Sequence, residues 1–490
     1  MNRTTLSLFA GVAALAAVTG FAVVSSPDAT GAGTGGRAAE LPVERTSLLC
    51  PAPSTSDLAE TEYTSFTPVT KGAVSGGQAR LVPAGQQAAK KAGKPVVEPQ
   101  APGRPATGDS SGGDAPALAG TAEGAFAPGW TVQETTEVAA GTGRGLAGVT
   151  CTAPDTEFWF PGASTAADRT DYVHLTNPDD SAAVVDVELY GKDGAWKSTA
   201  GEGVTVKPHT SEALLLSTLG DTEEDDLTVH VTVRSGRVGA AVQALDDKIG
   251  GDWLAASADP ADGLVLPGIP EDALAVRLVL FTPGDTDADL KVRLTSPTGT
   301  ITPAGHETVH VKAGMTTAVD LADITRGDAG SLLLTPTGRS VPVVAALRVV
   351  RGKDTDQEMA FIPATAPVGT RATAAGNRTA KDTTLSLTAP QGAAQVKVTA
   401  SAGSEGGAAA SKTYTVKAGT TQAVEAPVPD GLKGTYALTV EPVSGGPVYA
   451  ARTLRAAKDG VPAFTVQTLP DDRGTVAVPK AEEDLSVLQE

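Results

Sequence analysis

A short strand-like sequence occurs three times and indicates the fold of this chain: Val204-Thr-Val-Lys207, Val309-His-Val-Lys312 and Tyr414-Thr-Val-Lys417. The step from 204 to 309 and the step from 309 to 414 are both 105 residues. An alanine pair that begins at Ala240 recurs twice with the same spacing. Because self-similarity at a fixed period marks repeated structural units, we predict three copies of one domain.

The residues around these markers predict β-strands. In the first copy Val185, Val187 and Leu189 alternate with the acidic residues Asp186 and Glu188. Alternation with a period of two places the apolar side chains on one face, as in a half-buried strand. A unit of this length with several short strands is the size of an immunoglobulin-like β-sandwich. No copy shows the Cys…Trp…Cys pattern of antibody domains, so we predict an all-β fold of that architecture rather than that family.

The period also sets the predicted domain boundaries. The three repeats are 153–262, 263–366 and 367–470. Residues 41–152 are predicted to be a divergent or incomplete fourth β-sandwich with a disordered insertion at 83–124, since that stretch is rich in Ala, Gly, Pro and Ser. Short junctions marked by proline predict a semi-rigid rod of domains. Residues 471–490 are predicted to form an acidic tail.

The N-terminal segment predicts export. No charged residue follows Arg3 until Asp28, and Leu6 to Val24 is an apolar run. This pattern is typical of a signal peptide or signal anchor. We predict that residues 1–26 form it as a hydrophobic helix and that residues 27–40 form a linker. The run is near the lower limit for spanning a bilayer, about 17–25 residues, so cleavage and anchoring both stay open. We expect an extracytoplasmic protein, secreted or anchored.

Cysteine content and charge agree with that location. Two thiols in an exported chain form one disulfide in most cases, which predicts a Cys50–Cys151 bond. The chain has 38 basic and 57 acidic residues, a formal net charge of −19. Nucleic-acid phosphates would be repelled by that charge, so we exclude nucleic acid as a partner.

Two metal-site motifs fail on geometry or spacing. His306-Glu-Thr-Val-His310 matches the H-E-x-x-H zinc pattern, which requires a helix. In the strand predicted here the two imidazoles would lie about 13 Å apart. Asp285-Thr-Asp-Ala-Asp289 resembles a calcium loop but lacks its later Gly and Glu; a weak calcium site in this turn stays open. We predict no catalytic residue, metal or cofactor.

Aromatic side chains allow two interpretations. Trp130, Phe158, Trp159 and Phe160 lie in the first half of the folded region. Large aromatics dominate the energetics of cores, so they can fill cores and a junction. The alternative is a contact surface for a glycan or a protein partner.

Two stretches carry a resemblance to a known family. Glu157-Phe-Trp-Phe-Pro-Gly-Ala-Ser164 and Asp171-Tyr-Val-His-Leu-Thr-Asn-Pro178, together with the cysteine pair, resemble a family of uncharacterised actinobacterial exported proteins. Its function is unknown, so the resemblance implies no catalytic or binding residue. We expect a non-enzymatic cell-envelope protein that serves as a scaffold, adhesion or protein-interaction module. The alternative is a module that binds cell-wall glycan, and the third hypothesis is an unrecognised envelope enzyme. The expected partners are an envelope protein, wall glycan, or the membrane through an uncleaved N-terminal segment.

Overall fold

The computed structural model describes residues 39–86, 94–353, 356–458 and 461–479. The fold is all-β, which confirms the predicted class, with short 3₁₀ helices at Ala84–Gln86, Gly124–Phe126 and Leu216–Thr218. The chain divides into two compact units, and Pro42–Gly474 forms the larger one. The strands of this larger unit form four successive pairs of sheets, which we call the first to fourth sheet pairs. The predicted N-terminal helix at 1–26 lies outside the described residues.

The first sheet pair consists of the sheets β2-β6-β4 and β5-β3-β7-β8. Its strands are β2 (Arg45–Cys50), β3 (Ala59–Phe66), β4 (Ala79–Pro83), β5 (Ala106–Ser111), β6 (Leu118–Glu123), β7 (Thr131–Val138) and β8 (Gly145–Thr150). Because β5 and β6 lie within 83–124, the prediction of a disordered insertion is wrong over the described part of that stretch. Small residues in this stretch allow close packing, since Gly120 of β6 lies against the Trp130 ring.

The second sheet pair consists of β12-β11-β15-β9, with β13 also paired to β11, and β14-β10-β16-β17. Its strands are β9 (Glu157–Ala163), β10 (Arg169–Thr176), β11 (Ala183–Gly191), β12 (Gly194–Ala195), β13 (Val204–Val206), β14 (Ser211–Leu215), β15 (Leu227–Ser235), β16 (Gly239–Asp246) and β17 (Gly250–Leu254). Inward residues of both sheets, such as Phe160 and Val173, share one hydrophobic core.

The third sheet pair consists of β18-β24-β20-β21, with β22 also paired to β20, and β23-β19-β25-β26. Its strands are β18 (Leu264–Ile269), β19 (Ala275–Phe281), β20 (Ala288–Ser296), β21 (Gly299–Ile301), β22 (Thr308–Val311), β23 (Thr316–Asp320), β24 (Gly330–Pro336), β25 (Val344–Lys353) and β26 (Asp356–Pro363). Its core also joins residues of both sheets.

The fourth sheet pair consists of β27-β34-β29-β31 and β32-β28-β35-β36, with a small β30-β33 sheet beside them. Its strands are β27 (Ala372–Asn377), β28 (Thr383–Ala389), β29 (Ala394–Ala400), β30 (Gly406–Ala408), β31 (Ala410–Val416), β32 (Thr420–Glu425), β33 (Asp430–Lys433), β34 (Tyr436–Gly445), β35 (Tyr449–Lys458) and β36 (Val461–Thr468).

Among the described residues, the main strands of all four sheet pairs follow one order, but the first pair has no counterpart of β12 or β13, and the β27-β34-β29-β31 sheet of the fourth pair has no counterpart of β12. The three 105-residue markers fall on equivalent edge strands, β13, β22 and β31, and the alanine pairs on β16, β25 and β35. In an immunoglobulin domain the first two strands share a sheet. Here the first two strands of each pair, such as β9 and β10, lie in different sheets.

The sheet pairs close into a ring through their last strands. β8 contacts β17, β17 contacts β26, β26 contacts β36, and β36 returns to β8. The predicted rod is therefore wrong for the larger unit. The physical reason is that these strands are buried on both faces. All five residues of β17 are buried, for example, and a strand buried on both faces needs a neighbour on each side.

The smaller unit comprises Met1–Leu41 and Thr475–Glu490. Its described residues include the first three residues of β1 (Ala39–Pro42) and all of β37 (Thr475–Val478), and these two strands pair in a two-stranded sheet. β37 lies within the predicted acidic tail, whose last residues are outside the described part of the chain. No helix among the described residues combines the length and the apolarity needed to cross a membrane.

Candidate functional site

The centre of the ring is a buried polar network built around Asp252 of β17. Its carboxyl accepts hydrogen bonds from the Gly148 backbone N–H at 3.0 Å and from the Thr465 hydroxyl at 3.0 Å. These three residues belong to the second, first and fourth sheet pairs. Burial raises the pKa of Asp252 well above its usual range, because a low-dielectric site disfavours the charged form. The carboxyl therefore connects three sheet pairs.

Gln467 of β36 completes this network. Its Nε2 donates to the Thr465 hydroxyl at 2.7 Å and to the Gly148 carbonyl at 3.3 Å, and its Oε1 accepts from Arg452 Nε at 3.1 Å. A Cβ atom at residue 148 would come within 2.6 Å of Gln467 Nε2. Gly148 therefore permits the close approach that joins the fourth sheet pair to the first.

A second buried carboxyl, Glu358 of β26, links the third sheet pair to the others. Glu358 Oε2 accepts from the Phe464 N–H at 3.3 Å, and Oε1 lies 3.9 Å from Arg144 Nη1. Burial raises the pKa of Glu358 to about 7, against the opposing effect of its hydrogen bonds and of Arg144. Carboxyls with raised pKa values are typical of general acids, but Glu358 and Asp252 use their hydrogen bonds to join sheet pairs.

We call the interface between two neighbouring sheet pairs a seam. Two pockets of about 370 Å³ each lie at such seams. The first seam joins the first and second sheet pairs. Residues with hydroxyl groups that line its pocket include Ser54, Thr55, Thr136, Thr142, Thr170 and Tyr172. Gln243 also lines it, and its Nε2 donates to the Pro53 carbonyl at 3.0 Å. This pocket is polar and largely uncharged.

The second seam, between the second and third sheet pairs, holds a charged pocket. Arg169, Arg277 and Arg348 line it together with five aspartates. Arg169 donates to both carboxyl oxygens of Asp171, at 3.1 and 2.8 Å. Arg277 donates to Asp226 at 3.0 and 2.6 Å. Burial first, and then repulsion by the other two arginines, lowers the pKa of Arg348.

Sequence reasoning missed these arginines. The signal was available in the repeat: a step of 105 residues relates Tyr172 to Arg277 and Gln243 to Arg348. Comparison of the copies would have shown two arginines where the preceding copy has uncharged residues. The convergence with Arg169 comes from packing across the seam and has no sequence signal of its own.

The predicted disulfide is confirmed. Cys50 ends β2 and Cys151 directly follows β8, and the two sulfur atoms are bonded. The bond connects the first and last strands of the first sheet pair, which lie in different sheets.

The four aromatic residues proposed as a contact surface are all buried. Trp130 Nε1 donates to the Ser65 hydroxyl at 2.8 Å, and Phe158 and Phe160 belong to the core of the second sheet pair. Trp159 packs against Phe281 of the third sheet pair. The structure thus places them in cores and at the second seam, and none offers an open face to a glycan.

The H-E-x-x-H stretch is not helical, as expected. His306 precedes β22 and His310 lies within it. His310 Nδ1 is 2.8 Å from Asp289 and its Nε2 is 3.4 Å from Asp287, so two aspartates of the candidate calcium turn contact this histidine. Across the described ranges, no group of three or more His, Cys, Asp or Glu is arranged to hold a metal ion.

Comparison with known proteins identifies the family of the chain. No curated protein matches it. A family of unknown function, DUF5719, matches residues 106–427, a range that begins at β5, ends beyond β32 and includes the complete second and third sheet pairs. Because this match covers more than half of the sequence, the chain belongs to the DUF5719 family of unknown function.

Proposed function

We propose that this protein is a non-enzymatic scaffold or protein-interaction module of the cell envelope that acts outside the cytoplasmic membrane. The observation that carries this proposal is the closed ring of four sheet pairs. A ring with shared seams holds its outer loops in one arrangement, as a module that presents surfaces to a partner must. The Cys50–Cys151 bond supports an oxidising compartment, and the N-terminal apolar run supports export.

The proposal includes the architecture of each unit. We infer that each sheet pair is a β-sandwich of immunoglobulin-like type, with a strand order that differs from that of immunoglobulin domains. Support comes from the cores, in which inward residues of both sheets form one cluster in each of the second, third and fourth pairs. The resemblance to actinobacterial exported proteins belongs to the same proposal.

A non-enzymatic role is favoured by the contacts that the buried ionisable side chains of the ring make. Asp252 and Glu358, whose pKa values are raised by burial, bind backbone and hydroxyl groups of neighbouring sheet pairs. His230 lies between Glu157 and Glu188, at 3.0 and 3.1 Å. These contacts stabilise the fold, and this structural role explains the presence of the side chains without a catalytic one.

The test is cross-linking in intact cells that express the chain with a tag after Glu490, followed by mass spectrometry. Reproducible capture of one envelope protein is the expected result. Capture of no protein above the level of an untagged control would contradict the scaffold proposal.

A glycan-binding role is the second candidate, and the first-seam pocket favours it. Hydroxyl groups and the Gln243 amide can hydrogen-bond to sugars, and the Tyr172 ring can stack on them. Binding of solubilised wall glycan should then weaken at least tenfold in Gln243→Leu. Gln395→Leu, an exposed position on β29, is the matched control. Equal binding by both variants would exclude this pocket.

A further inference from the structure

Two arginines of the third sheet pair face each other across adjacent strands. Arg277 of β19 and Arg348 of β25 are direct partners in the antiparallel register. Like charges directly opposite each other destabilise a sheet. The equivalent pairs are Tyr172–Gln243 in the second sheet pair and Thr384–Thr453 in the fourth. The third sheet pair alone among these three carries a like-charged pair at this position.

A third arginine approaches from across the second seam. Arg169 lines the same pocket, and its side chain is 2% exposed. Two of its nitrogen atoms bind Asp171, while Nη1 is buried and has no hydrogen-bond partner. A buried donor without a partner costs free energy, so this side chain, which lines the pocket, keeps one donor unused.

The neighbouring carboxylates neutralise these arginines unequally. Asp226 binds Arg277 in the second seam. Arg348 forms no hydrogen bond and no ion pair within 4 Å with any residue that the structure describes, and the more distant carboxylates of Asp226 and Asp246 only partly offset its repulsion by Arg169 and Arg277. A guanidinium offers a planar set of donors that suits a carboxylate. An anionic group at Arg348 would therefore relieve the repulsion within the pair and supply the missing acceptor.

Acidic residues of the same pocket restrict the ligand further. Asp225 and Asp320 line it and are exposed, and the whole chain has a net charge of −19. A multiply charged anion such as phosphate would be repelled by these carboxylates. A ligand that carries one carboxylate and one ammonium group matches both kinds of side chain.

We propose that the second-seam pocket binds a small zwitterion, namely an amino acid or the end of a short peptide. The ligand carboxylate contacts Arg348 and Arg169, and the ligand ammonium contacts the aspartates at the rim. The pocket volume of about 370 Å³ lies within the range of small-molecule sites. This ligand site goes beyond the scaffold role and does not depend on it.

The test is calorimetric titration of the folded protein with alanine, alanyl-alanine, acetate and inorganic phosphate. Alanine or alanyl-alanine should bind at least tenfold more tightly than acetate or phosphate, and the tighter of the two identifies the source. Arg348→Gln should weaken this binding at least tenfold. Arg293→Gln, an exposed position on β20 of the same sheet pair, is the matched control and should bind like the wild type.

Gln occupies the equivalent position 243 of the second sheet pair, so Arg348→Gln is expected to fold. Its thermal midpoint without ligand should exceed that of the wild type, because the substitution removes one member of a like-charged pair. The proposal is overturned if no zwitterion binds, if phosphate binds more tightly than alanine and alanyl-alanine, or if Arg348→Gln binds like Arg293→Gln.

Discussion

At the scale of single residues, the centre of the ring depends on carboxyl groups that are buried rather than exposed. Glu358 is 3% exposed and contacts residues of the first and fourth sheet pairs. Its raised pKa means that the folded state favours the protonated form. That preference adds stability below the ordinary pKa of 4.5, and the added stability is lost as the pH rises through about 7.

We expect Glu358→Gln to remove this part of the pH dependence. The free energy of unfolding of the wild type should fall relative to the variant between pH 5 and pH 8, by about 3 kcal/mol at most. Calorimetric thermal midpoints across this range measure the difference. Burial lowers the pKa of His174 to about 4 and gives the opposite trend, but His174 is common to both proteins. Parallel pH curves would contradict the prediction, and Glu212→Gln at an exposed position is the control.

At the scale of elements, the last strand of each sheet pair has two structural tasks. It pairs with the strand before it, and it also packs against the next sheet pair. On β8, Val149 packs with Ala241 and Trp253 of the second sheet pair. Leu146 of the same strand packs with Leu454 and Ala463 of the fourth. One strand thus connects the sheet pairs on both sides of the first.

Leu146→Ala should destabilise the protein by about 2–5 kcal/mol, because it leaves a cavity where the fourth and first sheet pairs meet. Leu146 is 1% exposed. The control is Val443→Ala, since Val443 is 58% exposed and surface substitutions are usually within about 0.5 kcal/mol. Urea denaturation measures both. A loss for Leu146→Ala no greater than that of the control would show that this seam does not contribute to stability.

At the scale of the whole larger unit, closure is the property that distinguishes this chain from a string of domains. The seam between the fourth and first sheet pairs also contains Phe66 against Ala375 and Ala437, and an ion pair between Arg378 and Glu137. These contacts join residues far apart in the sequence. A break at any one seam would expose apolar surface on two sheet pairs.

Small-angle X-ray scattering of residues 42–474 should therefore give a radius of gyration of about 22 Å, the value for a compact chain of this length. The distance distribution should be symmetrical, without a long tail. Four sheet pairs in a row would give a larger radius and an extended tail, and that result would contradict ring closure. Leu146→Ala under native conditions is a useful comparison, because it weakens one seam without removing a sheet pair.

Composition explains one failure of prediction at the element scale. The stretch 83–124 is rich in residues that are typical of disordered segments, yet it includes β5 and β6. Gly120 is small because the Trp130 ring lies against it. Composition does not separate small residues that pack closely from small residues that fail to pack, because the difference lies in their neighbours.

The all-β class was predictable from alternation within segments such as 185–189, and the disulfide was predictable because the chain contains only two cysteines. The sequence also placed the 105-residue markers, which lie on equivalent strands. Ring closure, the burial of the four aromatic residues and the convergence of Arg169 with Arg277 and Arg348 became known from the packing of the folded chain. Periodicity reports which face of a strand is apolar. It carries no information on which distant element covers that face, because the partner is chosen by packing across the whole chain.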